Sequence, residues 1–104
     1  MLTFDKYSGD IHHGTRHYKL TQKEMDYLLV LYKHLGQNVS RKAIFSALYP
    51  KNHEPTTNAL DVMMHLIRKK LAGSVITIQT IQNYGFKMAL NTTDDVEIIG
   101  GIDQ

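Results

Sequence analysis

The stretch with the clearest chemical character is residues 58–71, NALDVMMHLIRKKL, which ends in three consecutive cations, Arg68, Lys69 and Lys70. Guanidinium and ammonium groups at a helix end suit phosphate oxygens. Eight of the fourteen residues are nevertheless apolar. The pattern leaves three interpretations open: a helix that reads DNA, a helix that is buried on all sides, or a helix that binds another protein.

Six histidines raise the question of a metal site or an enzyme active site. His13 and His17 are four residues apart, a spacing that binds metal on one helix face, but no helix is predicted there. Asp10 and Asp26 are interpreted as a turn residue and a helix-surface residue, and no carboxylate or cysteine is expected to complete a four-ligand set beside His12. The sequence has no Ser-His-Asp order and no phosphate-binding glycine loop. We therefore expect no enzyme activity, no metal site and no cofactor.

The composition indicates one small domain. The chain has 104 residues, 42% of them hydrophobic, and it lacks cysteine, which excludes disulfides and suits the cytosol. No apolar run approaches the roughly 18 to 20 residues of a membrane span, and because no basic segment leads into an apolar one near Met1 we expect no secretory signal. The net charge is +2, and because residues 91–104 carry −4 the remainder carries +6. A basic body fits a polyanionic partner, and ordinary solubilising charge is the alternative.

Turn and capping signals place the elements that must position the basic stretch. Short β-friendly segments predict strands near 2–4, 10–13 and 16–19. The capping box TQKE, which begins at Thr21, predicts a first helix over 21–35.

The second half of the chain continues this order. Ser40 opens a second helix that Pro50 ends, and Thr57 or Asn58 caps a third helix over 57–71. VITIQTI and FKMAL predict a β-hairpin that turns at Asn83-Tyr84-Gly85. Residues 91–104 are expected to form a loose acidic tail, in which VEII could add an edge strand or be a cloning remnant. The fold class is therefore α+β: a winged helix-turn-helix over residues 1–90 with a short N-terminal antiparallel sheet, three helices and a C-terminal β-hairpin wing.

Four separated motifs make residues 20–88 resemble the C-terminal effector domain of OmpR/PhoB-type response regulators. LTQKEMDYLLVL resembles the first helix of that family, VSRKAIFSALYP the second, LDVMMHLIRKKL the recognition helix and IQTIQNYGFKM the wing. The resemblance implies a sequence-specific transcription regulator that places its third helix in the major groove and its wing, residues 80–87, on the minor groove. It also implies head-to-tail binding to tandem repeats in double-stranded DNA, without a membrane, in the bacterial cytoplasm or nucleoid.

The resemblance assigns roles to three sets of residues. Base contacts are expected from Asn58, Val62, Met63, Leu66, Gln82 and Asn83. Backbone contacts are expected from Arg41, Lys42, Tyr49, His65, Arg68, Lys69, Lys70, Thr80 and Lys87. A loop that touches RNA polymerase is expected at Lys51, Asn52, His53 and Glu54.

The chain departs from the family at the positions that usually read bases. Met63 stands where relatives usually have His, Leu66 where they often have Arg, and Gln82 where an Arg commonly enters the minor groove. Adenine pairing by Asn58 and thymine-methyl contacts then favour an A·T-rich site. The alternative is a winged helix that binds RNA polymerase or a partner regulator through the apolar face of its third helix. A receiver domain is absent from these residues, so an excised effector domain and a natural single-domain protein, such as a phage-encoded regulator, both remain open.

Overall fold

The computed structural model describes residues 1–51 and 53–101, without the side chain of Thr57. Asn52 of the expected polymerase loop and the last three residues of the expected tail lie outside the described residues. The elements in chain order are β1 (Leu2–Asp5), β2 (Asp10–His13), β3 (Arg16–Lys19), α1 (Gln22–Lys33), β4 (Asn38–Ser40), α2 (Arg41–Leu48), α3 (Thr57–Lys70), β5 (Ile76–Ile81), β6 (Gly85–Leu90) and β7 (Val96–Ile99).

The N-terminal sheet has four strands in the order β3-β2-β1-β7. The three predicted strands pair antiparallel, and β7 pairs parallel with β1, with Leu2 opposite Val96 and Phe4 opposite Ile98. Of the two possibilities for VEII the edge strand is the one found, so Val96–Ile99 is not part of a loose tail. Val96 and Ile98 pack against the core on alternate positions of the strand, so the half-apolar pattern of this segment covers an edge of the sheet.

Side-chain caps fix where the helices begin. The capping box of α1 is confirmed: the Thr21 hydroxyl accepts from the Glu24 N–H at 3.1 Å, and Glu24 accepts from the Thr21 N–H at 2.8 Å. Ser40 caps α2 as predicted. The cap of α3 is Thr56, not Thr57 or Asn58. Thr56 has the extended backbone of an N-cap, and its hydroxyl accepts a hydrogen bond from the Ala59 N–H at 3.4 Å.

One stripe of α3 lies in the core. Leu60, Met64, Ile67 and Leu71 are 0–3% exposed, as their spacing of four, three and four residues predicts. Full burial of a side chain of this kind stabilises a fold by roughly 1.5–3 kcal/mol. The stripe therefore sets which face of α3 is left for solvent or a partner.

The wing is anchored to the start of α2 by a strand that the sequence did not predict. β4 pairs antiparallel with β6 in a three-stranded sheet of order β4-β6-β5. Gly85 makes this pairing fit, because a Cβ there would lie 1.9 Å from the carbonyl oxygen of Val39. Asn83 takes a positive φ of 61° in the predicted turn, a conformation that Asn tolerates better than most residues. The hairpin is thus held against the helix-turn-helix.

Candidate nucleic-acid interface

The outward face of α3 is mostly apolar and open to solvent. Val62 is 58% exposed and Leu66 is 40% exposed, although both are large hydrophobic residues. Met63 is only half-buried and packs against the core, so less of its side chain is available than the sequence suggested. The remaining exposed residues on this helix include Asn58, Ala59, Asp61, His65 and Lys69. This face can contact thymine methyl groups, with polar groups at each end.

Arg68 joins α3 to the wing. Its Nε donates to the Ile78 carbonyl oxygen at 2.8 Å, and its Nη2 donates to the Thr80 hydroxyl. The guanidinium also lies over the Phe86 ring, 5.7 Å from its centroid. Two predicted phosphate contacts, Arg68 and Thr80, are thus bonded to each other, and they fix the wing relative to the helix.

Arg41 is the second guanidinium beside Phe86. It lies 5.0 Å from the ring centroid, and its Nη1 donates to an Asp61 carboxylate oxygen at 2.7 Å. Phe86 itself is 1% exposed and belongs to the core. The ion pair joins α2 to α3 and places a carboxylate on the exposed face of the helix, where it offsets the positive charge of Arg41.

The Lys70 ammonium has a hydrogen-bond partner within the protein. Its Nζ donates to a Glu24 oxygen at 2.7 Å, and Glu24 is 3% exposed while Lys70 is 38% exposed. Burial raises the pKa of Glu24, but the hydrogen bonds from Lys70 and from Thr21 outweigh burial, and the net pKa lies below the ordinary value. The last turn of α3 is therefore attached to the first turn of α1.

The Tyr49 hydroxyl also has an internal partner. It lies 2.6 Å from the Tyr27 hydroxyl, and burial followed by this contact raises the pKa of Tyr27 well above the usual tyrosine range. Phe45 packs edge-on to the Tyr49 ring, and the Lys23 ammonium lies 4.9 Å from the ring centroid. Tyr49 thus links α2 to α1, and a cation from α1 covers one face of its ring.

The remaining predicted contacts are distributed over the wing and two loops. Gln82 and Asn83 are exposed at the tip of the hairpin, and Lys42 is exposed in the first turn of α2. Lys87 lies on the opposite sheet face from Phe86, since successive residues of a strand alternate. In the expected polymerase loop the described residues Lys51, His53 and Glu54 are all exposed.

Three contributors to this surface did not emerge from the sequence as site residues. They are Asp61, Glu24, which the sequence places only in a capping box, and Tyr84, which it places only in a turn. Tyr84 is 49% exposed beside Gln82 and Asn83. A carboxylate four residues from a Lys or Arg on the same helix would have indicated an ion pair. Asp61 and Glu24 instead pair with basic residues on other helices.

The described elements define a winged helix-turn-helix domain, with a small N-terminal sheet, three helices and a β-hairpin fixed to the third helix. The family described as "Transcriptional regulatory protein, C terminal" matches residues 14–88. The chain belongs to this family, the effector domains of OmpR/PhoB-type response regulators. The expected fold class is thereby confirmed.

Two curated relatives show the extent of the similarity. The transcriptional regulatory protein VxrB of Vibrio cholerae is 33% identical over 87 residues, which are 84% of this chain and 35% of VxrB. BasR of Escherichia coli is 32% identical over 72 residues, 69% of this chain and 32% of BasR. The chain therefore spans about a third of the length of these relatives.

Two solved structures resemble the fold closely. The DNA-binding domain of Klebsiella pneumoniae RstA, solved in complex with the RstA box, has a TM-score of 0.66 and 26% identity, covering 77% of this chain and 82% of that one. The DNA-binding domain of Bacillus subtilis CssR has a TM-score of 0.65 and 25% identity, covering 76% and 89%. In the described residues, no helix is both long enough and apolar enough to cross a membrane.

Proposed function

We propose that this domain binds double-stranded DNA as a transcription regulator, with α3 in the major groove and the tip of the wing on the minor groove. The single observation that carries the proposal is the position of α3. Its core stripe is buried, its opposite face is exposed, and Arg68 attaches it to a hairpin whose tip is also exposed. The relatives are transcriptional regulatory proteins, and the RstA domain was solved with its DNA box.

The base readers in this proposal are Asn58, Val62 and Leu66 on the helix, with Gln82 and Asn83 on the wing. An asparagine pairs with adenine, and exposed aliphatic side chains contact thymine methyl groups. Met63 contributes only its exposed edge. An A·T-rich site is the expected target, and part of the specificity is expected to come from groove shape.

The predicted backbone contacts divide into two groups in this proposal. Lys42, Lys69 and His65 are exposed and meet phosphates directly, with Lys87 as a further candidate on the outer sheet face. The other predicted backbone contacts, namely Arg41, Tyr49, Arg68, Lys70 and Thr80, have internal partners and hold the elements in place. About three phosphate contacts would give a slope of log K against log salt near −3.

Fluorescence anisotropy tests the proposal with A·T-rich and random duplexes at several salt concentrations. Salt-dependent binding with an A·T preference is expected. Replacing Asn58 with Ala should reduce the A·T preference, while Gln22→Ala, which removes an exposed amide from α1, is the matched surface control. A folded sample that fails to bind either duplex at low salt would refute DNA binding by this domain.

Protein binding through α3 is the second candidate function, because Val62 and Leu66 are exposed hydrophobic residues on that face. A partner regulator or RNA polymerase would bury them. The double variant Val62→Ser/Leu66→Ser should then abolish partner capture, and Lys69→Met should leave it unchanged. If the double variant still captures the partner, and Lys69→Met instead weakens binding to a DNA duplex, the protein-binding candidate fails.

Two finer assignments complete the proposal. The exposed loop that contains Lys51, His53 and Glu54 touches RNA polymerase. Two domains bind tandem repeats head to tail on the chromosome, which lies in the bacterial cytoplasm. Reversing charge with Lys51→Glu should lower transcription from a bound promoter without weakening DNA binding. If a two-repeat duplex binds two domains without cooperativity, each with the affinity of a one-repeat duplex, the head-to-tail pair is excluded.

A further inference from the structure

The β2–β3 hairpin brings three metal-ligating side chains together on its outer face. His12 and His17 are directly opposite each other in the antiparallel pair, and Asp10 is two residues before His12 on the same face. Asp10 begins β2 instead of lying in a turn, and its carboxylate joins the two histidines in a set of three ligands, one fewer than the four-ligand set considered from the sequence. Ile11 between them points inward and is fully buried, so the three ligands are held outward by the strand alternation.

The distances between the ligand atoms fit one ion. One ligand atom from each of Asp10, His12 and His17 can be chosen so that all lie within 4.8 Å of one another. The His12 and His17 rings are stacked, with centroids 4.5 Å apart and planes 17° apart, and the His17 Nε2 lies 3.2 Å from an Asp10 oxygen. Ligands bound at about 2.0–2.2 Å from one zinc ion are separated by roughly 3–4 Å, so small rotamer changes close the site.

We propose that Asp10, His12 and His17 form a surface site for a divalent transition metal such as zinc. Two imidazoles and one carboxylate are the ligand chemistry that Zn²⁺, Co²⁺ and Ni²⁺ accept, whereas Mg²⁺ and Ca²⁺ require oxygen ligands. Three protein ligands leave at least one coordination position of the metal for water. The side chains of Asp10, His12 and His17 can all be reached from solvent. Binding therefore needs no opening of the core.

Lys19 is the competitor of the metal. Its Nζ lies 3.0 Å from the Asp10 oxygen. The carboxylate therefore already has a cationic partner, which a metal must displace. Lys19 also donates to the Ser8 carbonyl at 2.7 Å, so it keeps a partner when a metal displaces it from Asp10.

The test is titration of the tag-free protein with ZnCl₂ by calorimetry and with Co²⁺ by visible absorption. One equivalent should bind, and His12→Gln or His17→Gln should each weaken Zn²⁺ binding at least tenfold. His34→Gln, which changes an exposed histidine outside the hairpin and outside the proposed DNA interface, is the matched control and should leave the isotherm unchanged. Lys19→Gln should tighten binding several-fold, a result that a site elsewhere on the chain would not produce.

Two outcomes would overturn the site. One is an isotherm that the double variant His12→Gln/His17→Gln does not alter. The other is binding that is lost in His13→Gln but kept in the double variant, because His13 lies on the other face of β2 and contacts Asp94 at 2.7 Å. Circular dichroism and the DNA-binding assay monitor folding independently, since the hairpin takes no part in the proposed DNA interface.

Discussion

Lys69 and Lys70 are adjacent, chemically identical and expected to behave differently. Lys69 is exposed, whereas the Lys70 ammonium is bonded to the buried carboxylate of Glu24 at 2.7 Å. The matched variants Lys69→Met and Lys70→Met each remove one charge and keep an unbranched side chain. Since only Lys69 is free to meet a phosphate, the first variant should change DNA binding and the second should change stability.

The expected effect of Lys69→Met follows from counterion release. One phosphate contact contributes about 0.9 to the slope of log K against log salt, so the slope should become shallower by that amount. Between 1 M and 0.1 M salt this corresponds to roughly eightfold weaker binding at the lower concentration. Fluorescence anisotropy on one A·T-rich duplex over that salt range measures both quantities.

The expected effect of Lys70→Met is on unfolding. Removing one partner of a fully buried ion pair costs about 3–5 kcal/mol, and because Lys70 is 38% exposed we expect about 1–2 kcal/mol. For a domain of this size the midpoint of thermal unfolding should fall by roughly 5–15 °C. The salt slope should remain that of the wild type, measured below the melting transition.

The pH dependence of unfolding distinguishes loss of the Lys70–Glu24 ion pair from a nonspecific loss of packing. In the folded wild type the pKa of Glu24 is lowered, so the pair contributes stability above the ordinary value of 4.5 and loses it as the pH falls through the folded pKa. The stability difference between wild type and Lys70→Met should therefore shrink at acidic pH. A Lys70→Met protein with wild-type stability and a shallower salt slope would refute the structural assignment of Lys70.

Three further predictions concern the positions where other contacts are fixed. Asp61→Asn removes a negative charge from the exposed face and releases Arg41, so DNA should bind several-fold tighter with a steeper salt slope, as anisotropy would show; unchanged or weaker binding would contradict this. Gly85→Ala forces a Cβ into the backbone of β4 and should destabilise the fold by about 3 kcal/mol or more in urea unfolding, whereas near-neutral stability would mean that the strands can separate. Tyr49→Phe leaves the Tyr27 hydroxyl without its partner and should cost about 1 kcal/mol in the same assay while DNA affinity is unchanged; a clear loss of affinity would instead make Tyr49 a phosphate contact.

The elements that follow from local chemistry were predictable from the sequence. The capping box at Thr21, the cap at Ser40 and the buried stripe of α3 depend on residues a few positions apart, and the structure confirms them. β4 was not predictable, because a three-residue strand has too few positions for a periodic pattern. For β7 the sequence left an edge strand as only one of two possibilities, because its pairing with β1 joins residues more than ninety positions apart and leaves no local signal.

The same distinction applies to the candidate site. Sequence spacing separated the two faces of α3, but it did not distinguish cations that are free from cations that are bonded. That distinction depends on Glu24, Asp61 and Thr80, which come from α1, α3 and β5 and are brought to the basic residues only by tertiary packing. Likewise, the cluster of Asp10 with two histidines exists only because β2 and β3 pair in one particular register.

The bonds of Arg68 determine how helix and wing can act together. A free arginine at this position would add one phosphate contact, whereas a guanidinium bonded to the Ile78 carbonyl and to Thr80 holds the hairpin at a set distance from α3. Arg41, the second guanidinium near the Phe86 ring, holds α3 to α2 through Asp61. Both arginines use N–H donors inside the protein, so fewer donors are left for phosphates, and the base-reading face is apolar. Affinity must then depend on how well the groove fits a helix and a wing whose spacing is already fixed, and sequences that adopt that groove shape at little cost should be preferred.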